Sequence, residues 1–560
     1  MDRITRTCSF ALALALLAPS AVEAKKTIAV APQSLLAAYA RARLAGSDGA
    51  LDQAARSYAA VLAARPDDAS VAARAYRQAL TAGDFPLALK AAAALDKAGA
   101  LPADGQLLNL AHALKTKNWA AADATVQVLG KDGSFDFMIP VLRAWVAQAS
   151  GKGDPFAILD APTGSALTAA LASEQRALLL IASGKLDQAA TVAQAQALAS
   201  GGGSTSLKLA VASKLQAAGR KYQALAMLPG DDPVIAAARR LVETGKPLKA
   251  GSSDAAGGMA ALFVRVGEAI QSDPRSPVGL TLVRLAGYLD PSSDAAQVML
   301  ARLLAGVGQP DSALAAAARV PADSPYAGAA ADARVGILSE LGRREEALAV
   351  AQAKSNGPDA TLADLVRTGD LLDALDRHIE AAKAYERAIA VASANPDTAD
   401  KVWSVWLLKG GALERGGDWA NAKPALEKAV ELSPQQPIAL NYLGYAQLER
   451  RENVKNALAL IERASQLKPD DPAITDSLGW AHYLTGDAAK AIPALEKAVQ
   501  GQPSDATINE HLGDAYWAVG RKYEARYAWS AAAVFADTAD VAARARAKAE
   551  GGFTPALAAR

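Results

Sequence analysis

Between Trp403 and Phe535 the chain writes one pattern four times. Leu-Gly or Lys-Gly occurs at Lys409-Gly410, Leu443-Gly444, Leu478-Gly479 and Leu512-Gly513, and these glycines are 34, 35 and 34 residues apart. Downstream stand Ala422, Ala457, Ala491 and Ala525, each followed four residues later by a large apolar side chain: Leu426, Ile461, Leu495 or Trp529. A further alanine comes three residues on (Ala429, Ala464, Ala498, Ala532), and Pro434, Pro469 and Pro503 close the first three copies. A fixed period of this length, with small residues at set offsets, is the mark of stacked helix–turn–helix units. Two antiparallel helices need a tight turn between them and small residues where their backbones cross. Glycine supplies the left-handed turn, and proline stops the second helix.

A simpler marker, Gly-x4-Ala, carries the same register through most of the chain. It appears at Gly49, Gly83, Gly184, Gly219, Gly308, Gly342, Gly417, Gly486 and Gly520. Steps of 34 from Gly83 fall on Lys117 and Gly151, and the step of 34 from Gly342 falls on Asp376. The register breaks after Gly219, where the next marker is Gly308, 89 residues on. Within the gap, residues 245–258 are dense in Gly, Ser and Pro and read as a flexible linker. A helix pair over about 259–271 and 277–289 is predicted to follow it. A step of 41 between Asp376 and Gly417 predicts a loop over Ser393 to Asp400, and residues 200–204 form another. Aspartates after a helix-ending proline or before the next helix (Asp67, Asp397, Asp470, Asp471) are expected to cap free amides.

A chain of 560 residues exceeds what one compact core organises, but a repeat array has no such limit. Alanine, the best helix former, is abundant, and alternating runs of β-branched residues are missing. The expected fold class is all-α. The formal net charge of +1 gives no basic face for nucleic acid.

The first residues read as an export signal. Arg3 and Arg6 precede an apolar stretch from Phe10 to Ala18, and Val22-Glu23-Ala24 fits a small-x-small cleavage site. The apolar stretch is too short to span a bilayer. Cys8, the one cysteine, lies before it and not after it, which argues against lipid anchoring. Cleavage after Ala24 leaves a mature chain starting at Lys25 without cysteine, as suits an oxidising compartment. No later segment reads as transmembrane.

Catalytic constellations are missing. His511 has no second histidine four residues away, so the zinc-helix motif does not form. There is no Gly-x-Ser-x-Gly elbow and no Gly-x4-Gly-Lys-Ser/Thr loop. The chain is expected to be no enzyme, to use no cofactor and to hold no metal.

The four-fold pattern resembles the tetratricopeptide repeat (TPR) family. That resemblance implies a right-handed superhelical solenoid of antiparallel helix pairs, here as two arrays joined by the Gly/Ser-rich linker. The expected organisation is a signal peptide (1–24), an N-terminal array of degenerate repeats (27–244) and the linker (245–258). Middle repeats (259–360), a C-terminal array (361–535), and a capping helix and tail (536–560) follow. In such a stack the first helix of each pair, helix A, lines a concave groove. The resemblance places groove residues three before the Leu-Gly glycine, and one and four after it. Those are Leu407, Gly411 and Glu414; Asn441, Tyr445 and Leu448; Asp476, Trp480 and Tyr483; and Glu510, Asp514 and Trp517. Aromatics there supply contact area, and the carboxylates favour a basic or neutral partner. The best-known groove of the family clamps a C-terminal carboxylate with Lys, Arg and Asn. This chain keeps Asn441 but has Asp476 and Glu510 at the later slots, which argues against that ligand.

The expected function is a scaffold binding extended or helical protein segments in the bacterial cell envelope. Its partners would be proteins or peptides, with peripheral attachment to a membrane complex allowed for. Resemblance to bacterial envelope TPR proteins implies the periplasm. The alternative is an accessory module of polysaccharide or lipid-linked export, in which exposed tryptophans would stack on sugars.

Overall fold

A computed structural model describes residues 32–162, 165–199, 204–251, 253–270, 277–357, 360–394 and 396–557. The export signal at 1–24 and loop residues 200–203 lie outside that set. Among the described residues there are 30 α-helices, three short 3-10 turns and no strand, so the expected all-α class of antiparallel helix pairs holds.

The backbone explains the marker. All nine marker glycines are left-handed, with φ from 70° at Gly342 to 89° at Gly486. Where the register lands on a side chain instead, that residue adopts the same conformation: Lys117 at φ 56° and Asp376 at φ 58°. Arg451, 34 residues after Gly417, does so at φ 52°. The turn therefore imposes the left-handed geometry, and glycine meets it with least strain. At Gly486 a Cβ would meet no atom within 4 Å, so only backbone strain opposes a side chain there. We expect Gly486→Ala to lower stability by about 1 kcal/mol and Asp376→Gly to raise it by a smaller amount, read by urea denaturation.

The chain divides into two compact units, Met1–Val211 with Gly251–Ala296, and Ala212–Ala250 with Gln297–Arg560. This differs from the expected order of arrays. In the first unit, helices Ala255–Ile270 and Pro277–Leu289 return to pack against the earlier helices Ala103–Lys115, Ile139–Ser150 and Ala166–Ala182. Residues 255–258, expected to be linker, are the first turn of a buried helix. A Cβ on Gly258 would stand 2.0 Å from the Trp145 indole, so this glycine serves close packing and not flexibility. Trp145 is fully buried and donates Nε1 to Gln175 Oε1 at 2.8 Å. Tyr288, on the returning pair, is held by His112 Nδ1 at 3.0 Å from its hydroxyl and by the Phe85 ring at 4.3 Å.

The start of the expected linker is also fixed, within the second unit. Leu248 is buried, its N–H donates to Gln216 Oε1 at 2.7 Å, and its carbonyl accepts from Ser213 Oγ at 2.5 Å. The expected loop at 393–400 is instead the end of a 17-residue helix, His378–Ala394, and a 3-10 turn, Pro396–Lys401.

The four C-terminal repeats are helix pairs: Val402–Arg415 with Trp419–Leu432, Pro437–Glu449 with Val454–Leu467, Pro472–Leu484 with Ala488–Gly501, and Ala506–Ala518 with Lys522–Phe535. The final helix is Ala539–Gly551. The Leu-Gly glycines lie where the large apolar residue of the second helix, helix B, crosses. A Cβ would come within 2.6 Å of Leu426 at Gly410, 2.8 Å of Ile461 at Gly444, 2.5 Å of Leu495 at Gly479 and 2.4 Å of Trp529 at Gly513. The repeated alanines are all fully buried at the same crossings. Each buried Leu or Ile contributes about 1.5–3 kcal/mol, and only a bare backbone opposite lets it in. Asp471 caps its helix by accepting from Ala473 N and Ile474 N, whereas Asp470 reaches Lys497 instead. In the first unit the cap is Asp68, and Asp67 pairs with Lys97.

Candidate groove and its closed end

The A helices of the C-terminal repeats leave a cavity of about 700 Å³ between them. The expected groove residues Glu414, Asn441, Tyr445 and Asp476 line it. So do others outside the expected positions, among them Tyr442, Glu449, Arg450 and Asp505. Glu414 accepts from Arg450 at 2.6 Å, and one oxygen of Glu449 accepts from Trp480 Nε1 at 2.6 Å. Asp505 caps the helix Ala506–Ala518 through Ile508 N. Asn441 Oδ1 is buried without a partner. Burial, and then the fields of Glu449, Asp476 and Glu414, push the Tyr445 hydroxyl well above the usual tyrosine range.

The other expected groove residues are not among those lining this cavity. Trp480 is only 3% exposed, stacked between the His511 ring at 3.9 Å and the Tyr483 ring at 4.8 Å. Tyr483 is half-buried. Trp517 packs on the buried Trp529 ring at 5.3 Å. Glu510 and Asp514 are 2% and 1% exposed. The reason is contact between successive A helices one repeat apart. Arg544 forks onto Glu510 with bonds of 2.8 and 2.6 Å. Lys548 Nζ lies 2.8 Å from both Asp514 oxygens and from Glu510 Oε1, and is fully buried. Trp529 Nε1 donates to Asp514 at 2.8 Å.

The capping helix Ala539–Gly551 thus turns two of its basic residues inward. It takes the place of a next A helix, with Arg544 and Lys548 each 34 residues beyond the carboxylate it meets. Burial alone would raise the Glu510 carboxyl, but Arg544 and Lys548 hold it below the ordinary glutamate value.

His511 is the residue that sequence reasoning passed over. It is fully buried, with Nδ1 3.0 Å from Asp476 Oδ1. Burial opposes its positive charge, yet Asp476, with Asp514 and Glu449 behind it, raises the imidazole above its ordinary value. A raised value means stability that is complete below the unfolded-state pKa near 6.5 and is lost as pH rises through the folded-state value. We expect the melting temperature to fall over that rise. In His511→Phe, which keeps a ring on Trp480, the pH slope should flatten. A slope equal to the wild type's would rule out this linkage.

Among the described residues no group of three or more His, Cys, Asp or Glu could hold a metal ion. No described helix is long and apolar enough to cross a membrane.

The tetratricopeptide repeat model matches residues 407–472 and 477–541. No curated protein matches the chain. Solved structures similar to it include a tetratricopeptide repeat protein from Parabacteroides merdae, 15% identical, with a TM-score of 0.38, covering 45% of this chain and 96% of that one. Yeast Tom70 is 12% identical, with a TM-score of 0.34 over 93% of this chain and 96% of its own. A thermophilic TPR protein from Thermus thermophilus is 21% identical, with a TM-score of 0.29 over 33% and 98%. With both family matches lying on the helix pairs whose glycines admit Leu426, Ile461, Leu495 and Trp529, the segment from 407 to 541 is built of tetratricopeptide repeats.

Proposed function

We propose that this chain is a non-catalytic scaffold of the bacterial cell envelope, exported to the periplasm, that holds protein segments in the cavity between its C-terminal A helices. Tetratricopeptide repeats generally mediate protein–protein interactions and are typically non-catalytic. The observation that carries the reading is the open cavity lined by Asn441, Tyr445 and Asp476, flanked by a closed, fully paired array end. A preformed concave wall lowers the ordering cost of binding an extended segment. The charge at its wall, and a mature chain without cysteine after cleavage at Ala24, fit a peripheral partner of an envelope complex. Sugar stacking receives less support, because Trp480 has no open face and Trp517 packs on Trp529.

The test is affinity capture from envelope extracts with the mature chain, compared with Tyr445→Ala. The reading expects partners lost in the variant while helix content and melting temperature hold. Identical captures would refute it. Sequencing of the exported protein should begin at Lys25, and an intact Met1 would overturn the export assignment.

A further inference from the structure

We propose that the segment held in this cavity is cationic, with a lysine or arginine side chain set against Glu449 and Asp505. The inference rests on the groove reading above and adds the charge of the partner.

Three observations carry it. First, the wall has a surplus of negative charge. Glu414, Glu449, Asp476 and Asp505 line the cavity; Arg450 pairs with Glu414 and His511 with Asp476, which leaves Glu449 and Asp505 without a cationic partner among the described residues. Second, the vacant hydrogen-bonding capacity is mostly accepting. Asn441 Oδ1 is buried and unpaired, and Trp480 occupies only one oxygen of Glu449. Lysine and arginine bring several donors and no acceptor, and match such a wall better than a neutral side chain. Third, the chain shows how the same column of A-helix slots is satisfied further along. Glu510 stands one repeat beyond Asp476 in that column, and Glu510 and Asp514 are closed by Arg544 and Lys548, a basic pair four residues apart on one helix. At Asp476 the corresponding neighbour is His511, with Nδ1 3.0 and 3.1 Å from the two carboxylate oxygens.

The probe is a random linear peptide library selected on the full chain and counter-selected on Tyr445→Ala. The peptides that survive should be rich in Lys and Arg. A synthetic copy of the strongest should bind more weakly as salt is raised. It should lose about tenfold in affinity to the Glu449→Gln/Asp505→Asn variant, or when its arginines become citrulline. A glutamine at 449 would keep an oxygen for Trp480, and an asparagine at 505 would keep the helix cap, so the fold is preserved. Surviving peptides that are neutral or acidic, or a citrulline copy that binds as tightly, would overturn the charge assignment and leave the groove reading standing. A selection whose peptides all ignore Tyr445→Ala would remove both.

Discussion

Lys548→Met should lower the stability of the C-terminal repeats by about 3–5 kcal/mol. Lys548 is fully buried and is the shared partner of Glu510 and Asp514. Methionine fills much of the space but leaves the Asp514 carboxylate without its ammonium, while Trp529 Nε1 remains as its neutral donor. The energetic penalty comes from stranding a buried charge more than from losing an attraction. The diagnostic comparison is Lys548→Met with Asp514→Leu, which removes both charges. Thermal and urea unfolding should place the double variant well above the single one, as a double-mutant cycle reports for groups in direct contact. If the two single substitutions simply added, the network described here would carry no coupling.

Trp480→Ala should be nearly as damaging, at about 3–5 kcal/mol, through loss of a large buried ring. The indole is stacked between His511 and Tyr483 and donates to Glu449. Combining it with Trp517→Ala, whose ring covers Trp529, should lower the melting temperature further. Tyr445→Ala opens into the cavity and should fall well short of that loss. A Trp480→Ala protein that melted like the wild type while losing its partners would return Trp480 to the groove.

Much of this architecture could be read from residue spacing. The pairs Gly410/Leu426, Gly444/Ile461, Gly479/Leu495 and Gly513/Trp529 are sequence offsets that become contacts, because a helix crossing admits a large side chain only opposite a bare backbone. Lys117 and Asp376 show that the register predicts conformation even where glycine is replaced. The return of residues 251–296 to the first unit could not be read this way. It depends on Gly258 meeting Trp145 across more than a hundred residues, and glycine has the same local signature in a linker and in a tight packing site.

The cavity lining departs from the expected groove at Trp480, Glu510 and Asp514 for a related reason. A slot on helix A can face the cavity or the next A helix, and position alone does not distinguish them. The pairings Glu510/Arg544 and Asp514/Lys548 do distinguish them. Opposite charges one repeat apart are a signal already present in the sequence. They mark side chains that are consumed within the array.

The closed end has a consequence for how the protein opens. In a linear array whose units touch only their neighbours, the terminal unit has one neighbour fewer and ordinarily frays first. Here the last A helix is joined to the capping helix by ionic clasps through Glu510 and Asp514, so the terminus is expected to fray less than an unclasped end would. Local opening of the array is then expected to begin elsewhere than at this terminus, and amide exchange in Ala539–Gly551 should be slower than the end position of that helix would suggest.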